Sequence, residues 1–100
     1  MSLIYEINIK VSLGILDDYL SWLDEHISEI LDIDGFESAK IYKETSTSSD
    51  FLAITIHYSV SSKSALDSYF DNHAEALRQK GINRFGDKFS ATRRILEQTN

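Results

Sequence analysis

The sequence predicts an α+β domain with the ferredoxin-like element order βαββαβ. Three observations favour this fold: four segments alternate apolar and polar residues, two segments repeat apolar residues at helical spacing, and no proline or linker interrupts the 100 residues. Two right-handed crossovers connect such elements into one four-stranded antiparallel sheet with both helices on one face. The other face of the sheet is then left uncovered.

Length and composition indicate a single domain over residues 1–100. A chain of this size can bury one modest core, and 42% hydrophobic residues are typical of a globular protein. No apolar run approaches the ~18 residues that span a bilayer, so we expect no membrane association. The opening MSLIYEINIK lacks the basic and long apolar regions of a secretory signal, so we expect a cytoplasmic location.

Charge and cysteine content exclude several functions. The chain has no cysteine, which excludes disulfides, iron–sulfur clusters and thiolate zinc sites. Its formal charge of −6 opposes the phosphate attraction on which nucleic-acid affinity mostly depends, so we do not expect a nucleic-acid partner.

The first strand and helix follow from hydrophobic periodicity. Leu3–Val11 alternates as a strand with two unlike faces. Ser12 is a candidate cap for a helix from about Ile15 to Asp32, whose apolar residues recur every three or four positions. Asp34-Gly35 is expected to end this helix.

A hairpin follows the first helix. Its strands are predicted at Phe36–Glu44 and Phe51–Val60, and the polar run TSTSSD between them has the composition of a loop. A second helix is predicted after a cap near Ser62 and is expected to end at Gly81. The fourth strand is predicted from about Lys88 to Leu96.

Alternation along each strand assigns residues to the two faces of the sheet. The helix-covered face is predicted to hold Tyr5, Ile7, Ile9, Ala39, Ile41, Leu52, Ile54, Ile56 and Tyr58. The open face is predicted to hold Ile4, Glu6, Asn8, Lys10, Phe36, Ser38, Lys40, Tyr42, Phe51, Thr55 and His57. The frame of the last strand leaves open which of Arg93 and Arg94 faces out. We favour Arg94 on the open face, with Phe89, Ala91 and Ile95 in the core.

The open face is too apolar for plain exposure and too charged for a dry core. A symmetric homodimer whose sheets pack face to face would bury its apolar members and enclose its polar members in a small cavity. A monomer with one solvated sheet face is the competing interpretation.

Three segments carry a family resemblance: IYEINI, WLDEHISEIL, and YFDNHAEALRQKGINRFGDKFSATRRIL. Together they resemble a bacterial family, domain-of-unknown-function family 4286, within the dimeric α/β-barrel superfamily. The resemblance covers nearly the whole chain. It implies a barrel-like homodimer and brings no established activity with it.

Candidate ligand contacts come from the open face, because parity gathers its polar residues around one cavity. They are Glu6, Asn8, Lys40, Tyr42, His57 and Arg94. A cross-strand ion pair between Glu6 and Arg94 is the competing interpretation, since a buried carboxylate without a partner is costly.

Three further residues are candidates for a pocket edge: Trp22, His26 and His73. Trp22 and His26 share a helix face, where His26 could transfer a proton, although packing is the more common role of such residues. We expect no metal site, because the predicted topology separates the three histidines and none forms a close pair.

The sequence favours a protein that binds a small organic molecule in the barrel cavity or serves as a non-catalytic accessory module. We predict no cofactor. The alternative is a cofactor-free monooxygenase or a haem-binding or haem-degrading enzyme of the dimeric α/β-barrel type. Members of that type resemble this chain through an Asn on the first strand, here Asn8, and a His in the second half, here His73.

Overall fold

The computed structural model describes residues 2–45 and 50–99. Its strands are β1 (Leu3–Ser12), β2 (Phe36–Lys43), β3 (Phe51–Val60) and β4 (Phe89–Glu97), and its helices are α1 (Leu16–Leu31), α2 (Lys63–Asn72) and α3 (Ala74–Phe85). The four strands form one antiparallel sheet in the order β2-β3-β1-β4. The α+β, ferredoxin-like fold is therefore confirmed, with three helices where two were predicted. Most of the predicted hairpin loop, residues 46–49, lies outside the described residues.

The sheet register sets the faces by pairing β1 with a strand on each side. Glu6 lies opposite His57 on β3 and opposite Arg94 on β4. Ala91 lies opposite Ile9 and Arg93 opposite Ile7, both on the helix-covered face. The preferred frame of the last strand is confirmed: Arg94 lies on the open face and Arg93 on the helix-covered face.

Phe36 lies on the helix-covered face, so its assignment to the open face was wrong. An irregularity in the β2–β3 pairing between Phe36 and Ser38 adds one residue to β2. A one-residue bulge shifts the parity of the residues before it. Phe36 is buried, with its ring centroid 5.6 Å from that of Tyr58 and 4.9 Å from that of Tyr69.

The second helix was wrongly predicted to end at Gly81. It is divided at His73, whose φ of −132° interrupts the helical backbone, and α3 continues to Phe85 before Gly86, with φ of 60°, ends it. Gly81 lies inside α3, where an added Cβ would stand 3.0 Å from Cη2 of Trp22. Glycine at this position therefore allows α3 to pack closely against the Trp22 indole and does not end the helix.

The helix N-termini also differ from each other. Ser62 caps α2 as predicted, because its Oγ accepts a hydrogen bond from the Ala65 N–H at 3.1 Å. Ser12 makes no such bond, and a single 3₁₀ turn over Leu13–Ile15 separates it from α1.

The helix layer covers the middle of the sheet more completely than its edges. Ile41 on β2 and Ile95 on β4 face the helix side as predicted, but they are 48% and 50% exposed, so their assignment to the core was wrong. Both lie on edge strands. From Lys40 onward β2 is exposed on both faces, so the helices do not reach that end of it.

Two aromatic clusters fill the helix side at opposite ends of β1. One comprises Tyr5, Phe36, Tyr58, Tyr69 and Phe70, and the other comprises Tyr19, Trp22, Phe85 and Phe89. Within the described residues, no helix has the length and apolar character required to cross a membrane.

Candidate functional site

Glu6 is 5% exposed although no helix covers its face of the sheet. Arg94 Nε donates a hydrogen bond to Glu6 Oε1 at 2.5 Å, and Asn8 Nδ2 donates to the same oxygen at 2.9 Å. The other oxygen, Oε2, lies 2.7 Å from Nε2 of His57. Neighbouring side chains therefore shield and bind this carboxylate on three sides.

Strand register explains this arrangement. Because β1 lies between β3 and β4, a β1 residue on the open face has one direct neighbour on each side. Asn8 follows Glu6 by two residues on β1 and lies opposite Thr55. Thr55 Oγ1 donates a hydrogen bond to Asn8 Oδ1 at 2.8 Å. We call Glu6, Asn8, Thr55, His57 and Arg94 the open-face network. Every bond in it joins residues that are close neighbours in the sheet.

The network keeps Glu6 charged. The hydrogen bond from Arg94 lowers the pKa of Glu6 to about 2, with further contributions from Asn8 and His57. The same bond raises the pKa of Arg94. The ion pair that competed with a ligand role for Glu6 and Arg94 is thus present in the structure.

The other two predicted cavity residues lie beside the network. Lys40 is opposite His57 in the register, is exposed, and makes no ion pair among the described residues. Tyr42 is 49% exposed, and its ring centroid is 5.4 Å from that of His57 at an interplanar angle of 67°. The structure therefore brings together four of the six predicted contacts and leaves Lys40 and Tyr42 at the edge.

The predicted pocket-edge residues separate into two groups. Trp22 and His26 stack with ring centroids 4.5 Å apart and an interplanar angle of 18°. Both line a cavity of about 250 Å³ between the sheet and helices α1 and α3. His73 is exposed at the junction of α2 and α3 and does not line it.

This cavity, the inter-layer pocket, contains polar groups that the sequence did not reveal as a set. We define the pocket by Trp22, His26, Tyr58, Arg78, Ala91 and Arg93. Three buried atoms in it have no hydrogen-bond partner among the described residues: His26 Nδ1, the Tyr58 hydroxyl and Arg78 Nε. The Arg78 guanidinium is fixed in place by its Nη2, which donates to the Tyr5 hydroxyl oxygen at 3.0 Å.

Burial controls the charge of the pocket's titratable groups. Burial lowers the pKa of His26, which favours its neutral form, and raises the pKa of Tyr58, which keeps its hydroxyl protonated. Arg78 and Arg93 therefore supply the positive charge of the pocket. Arg93 could have been found from the sequence, since an arginine at a core-facing strand position is unusual. Arg78 and Tyr58 line the same pocket because of helix packing that no local sequence pattern shows.

Two other functions receive little support from side-chain placement. Among residues 2–45 and 50–99, no group of three or more His, Asp and Glu side chains could hold a metal ion. The pair behind the oxygenase alternative is divided between layers: Asn8 is bonded to Glu6 and Thr55 on the open face, whereas His73 lies in the helix layer.

The fold and these sites define a ferredoxin-like α+β domain with one uncovered, partly polar sheet face and a pocket beneath its helices. The chain belongs to the family described as domain of unknown function (DUF4286), whose model matches residues 2–99. This match confirms the resemblance found in the sequence. A comparison with curated proteins found no significant match.

Solved structures share the fold at low sequence identity. Rv0793 from Mycobacterium tuberculosis has a TM-score of 0.73 at 14% identity, with 100% of this chain and 97% of that chain covered. SnoaB from Streptomyces nogalater, a cofactor-independent oxygenase, has a TM-score of 0.73 at 11% identity, with 100% and 96% covered. The de novo designed protein Foldit4 has a TM-score of 0.63 at 12% identity, with 99% and 100% covered. A natural oxygenase and a designed protein share this fold, so the fold alone does not determine a function.

Proposed function

We propose that the protein is a cytoplasmic, homodimeric and non-catalytic module that binds a small organic molecule. Two copies pair through the open faces of their sheets. The observation that supports this most is the open-face network, in which a buried carboxylate on an uncovered sheet face already has its partners.

The three partners that Glu6 already has lower the cost of burying this carboxylate. Placing an ion pair in an interface is unfavourable when any of its polar atoms loses a partner. Glu6 keeps its bonds to Arg94, Asn8 and His57 whether or not a second copy covers them, since all four residues belong to one chain. The occupied carboxylate also supports a role for Glu6 in assembly over direct contact with a ligand.

Apolar side chains around the network supply the driving force for pairing. Ile4 and Leu96 lie opposite each other at one end of the open face, and Phe51 lies at the other end. Tyr42 extends the apolar surface onto the edge strand, where it is 49% exposed. In a two-fold arrangement each of these groups would be buried on both copies at once.

The binding part of the proposal is supported by the inter-layer pocket. Buried polar groups in native proteins almost always have partners, and three atoms here have none among the described residues. A bound molecule with polar groups of its own would supply them. Lys40 and Tyr42, which the network leaves at its edge, remain candidate contacts for a second molecule enclosed between the paired faces.

Dimerisation is tested by light scattering coupled to size exclusion at micromolar concentration, with two matched variants. Ile41 and Tyr42 are adjacent on β2 and almost equally exposed, at 48% and 49%, but they point to opposite sides of the sheet. We expect a dimer for the wild type and for Ile41→Asp, and a monomer for Tyr42→Asp. A monomeric wild type, or a Tyr42→Asp variant that remains dimeric, would contradict the proposal.

A further inference from the structure

We propose that the inter-layer pocket binds a small aromatic carboxylate, with the carboxylate group held by Arg78, Arg93 and Tyr58 and the ring packed among the apolar walls. This inference rests on the proposed binding function, but it does not depend on dimerisation. It concerns the side of the sheet opposite to the open-face network.

The charge of the pocket favours an anion. Arg78 and Arg93 line it, and none of the described lining residues is Asp or Glu. This is notable in a chain with 16 acidic and 10 basic residues and a formal charge of −6. The surroundings repel cations and attract a single negative charge, and walls of low polarity strengthen that attraction.

The unpartnered atoms favour a group that accepts hydrogen bonds. Arg78 Nε can only donate, and a buried Tyr58 hydroxyl that stays protonated can donate as well. An ionised carboxylate only accepts, through two oxygens, and hydrogen bonds between a charged donor and a carboxylate are among the strongest in proteins. An amide or alcohol would satisfy fewer of these donors and would bring a donor of its own.

The size and walls of the pocket favour one ring. A cavity of about 250 Å³ is larger than the roughly 150 Å³ that accommodates benzene in an apolar protein interior. Its apolar walls include Ile7, Ile56 and the indole of Trp22. Gly81 holds α3 close to this indole, since a side chain there would meet Trp22 Cη2 at 3.0 Å. The volume and the apolar walls together suit one ring.

Entry is possible between the end of α3 and β4. Ile82, Gly86 and Ser90 line the pocket and are exposed, as is Arg93. Arg93 therefore stands at the mouth, while Arg78 and Tyr58 lie deeper. An anion would meet the exposed guanidinium first and the buried donors afterwards.

Trp22 provides a direct readout, because it is the chain's single tryptophan and lines the pocket. The experiment titrates the full-length protein with benzoate, phenylacetate and 4-hydroxybenzoate, and follows Trp22 fluorescence excited at the red edge of its absorption. Benzamide and benzylamine are the neutral and cationic counterparts of benzoate. We expect saturable binding of at least one acid, at least about tenfold tighter than either counterpart.

Three variants distinguish the effect of the pocket's charge on binding from the effect of its volume. Arg93→Gln should weaken binding of the acid by about tenfold and leave benzamide unchanged. Ala91→Leu should block every probe by filling the pocket, and circular dichroism would show whether it folds. Arg84→Gln is the charge-matched control, since Arg84 is exposed on α3 and does not line the pocket, and it should bind as the wild type does.

The outcomes distinguish this inference from the proposed function. Saturable binding of benzamide or benzylamine that equals or exceeds every acid would overturn the carboxylate class and leave small-molecule binding intact. An Arg84→Gln variant that loses as much acid affinity as Arg93→Gln would also overturn it, because the effect would then be one of net charge. Failure of all five probes to produce a saturable signal would overturn this inference, whereas the dimerisation in the proposed function is decided separately by light scattering.

Discussion

The two sides of the sheet treat their polar side chains in opposite ways. On the open side, Glu6 is surrounded by partners from its own chain, and the register of three strands places them. On the helix side, polar atoms of His26, Tyr58 and Arg78 are buried without partners among the described residues. The Glu6 carboxylate keeps its partners when a second copy covers it, whereas the unpartnered atoms of the pocket favour the binding of a molecule from outside.

Removing one phenylalanine ring from each face should change the free energy of unfolding by very different amounts. Phe36 is 6% exposed on the helix side, whereas Phe51 is only partly buried on the open side, where Lys10 Nζ lies 5.0 Å from its ring centroid. Phe36→Ala should lower the free energy of unfolding by about 3–5 kcal/mol. Phe51→Ala should lower it by about 1 kcal/mol or less.

Chemical denaturation of both variants in the Tyr42→Asp background checks this difference without a contribution from dimerisation. Equal losses would mean that the bulge in β2 does not set the face of Phe36.

Two buried tyrosines should respond in opposite directions when their hydroxyls are removed. The Tyr5 hydroxyl accepts a hydrogen bond from Arg78, so Tyr5→Phe should destabilise the fold by about 1.5–3 kcal/mol. The Tyr58 hydroxyl has no partner among the described residues, so Tyr58→Phe should be neutral or stabilising by up to about 1 kcal/mol. Denaturant unfolding of the two variants measures both values. A larger loss for Tyr58→Phe would show that its hydroxyl is satisfied in the free protein.

Protonation of Glu6 on the open face should destabilise the fold at low pH. Its folded pKa of about 2 lies below the ordinary value of 4.5, so its stabilising contribution is complete above pH 4.5 and is lost as the pH falls towards 2. Unfolding free energies across this interval should therefore decline more steeply for the wild type than for Glu6→Gln. Parallel curves for the two proteins would remove Glu6 as the source of the acid sensitivity.

A smaller pH effect should arise on the helix side at higher pH. Burial lowers the pKa of His26 from 6.5, with opposing influences from Glu29 and from Lys80 and Arg93. Below pH 6.5 the unfolded chain binds a proton at His26 that the folded chain does not bind. The free energy of unfolding should therefore decrease as the pH is lowered, by no more than about 1.4 kcal/mol per pH unit.

His26→Phe should flatten the curve of stability against pH near pH 6. A curve that His26→Phe leaves unchanged would show that the titrating group lies outside the pocket.

The sequence predicted the open face better than the helix side for a physical reason. Side chains alternate with a period of two along a strand, so the neighbours of Glu6 on β3 and β4 follow once the strands are placed. The exception was Phe36, because a bulge adds a residue without an obvious local signal. The helix end predicted at Gly81 was wrong for a related reason. In the sequence, a glycine that permits close packing cannot be distinguished from a glycine that ends a helix.

The inter-layer pocket could be predicted only in part. Trp22 and His26 were recognised as a pair because they lie four residues apart on one helix. Strand alternation placed Tyr58 on the helix-covered face, but which α3 residue shares a pocket with it depends on how α3 packs on the sheet, which is long-range packing. The second helix is also divided at His73, before Arg78, where the sequence predicted a continuous helix.

A native mass spectrum of gently purified protein, recorded for the wild type and for Arg93→Gln, tests the account most directly. It counts subunits and weighs any retained molecule in one measurement. We expect a wild-type dimer that carries up to one small acidic molecule per subunit, and an Arg93→Gln dimer that has lost it. A monomer would contradict the role of the open face, and an added mass that survives Arg93→Gln unchanged would contradict the role of the pocket.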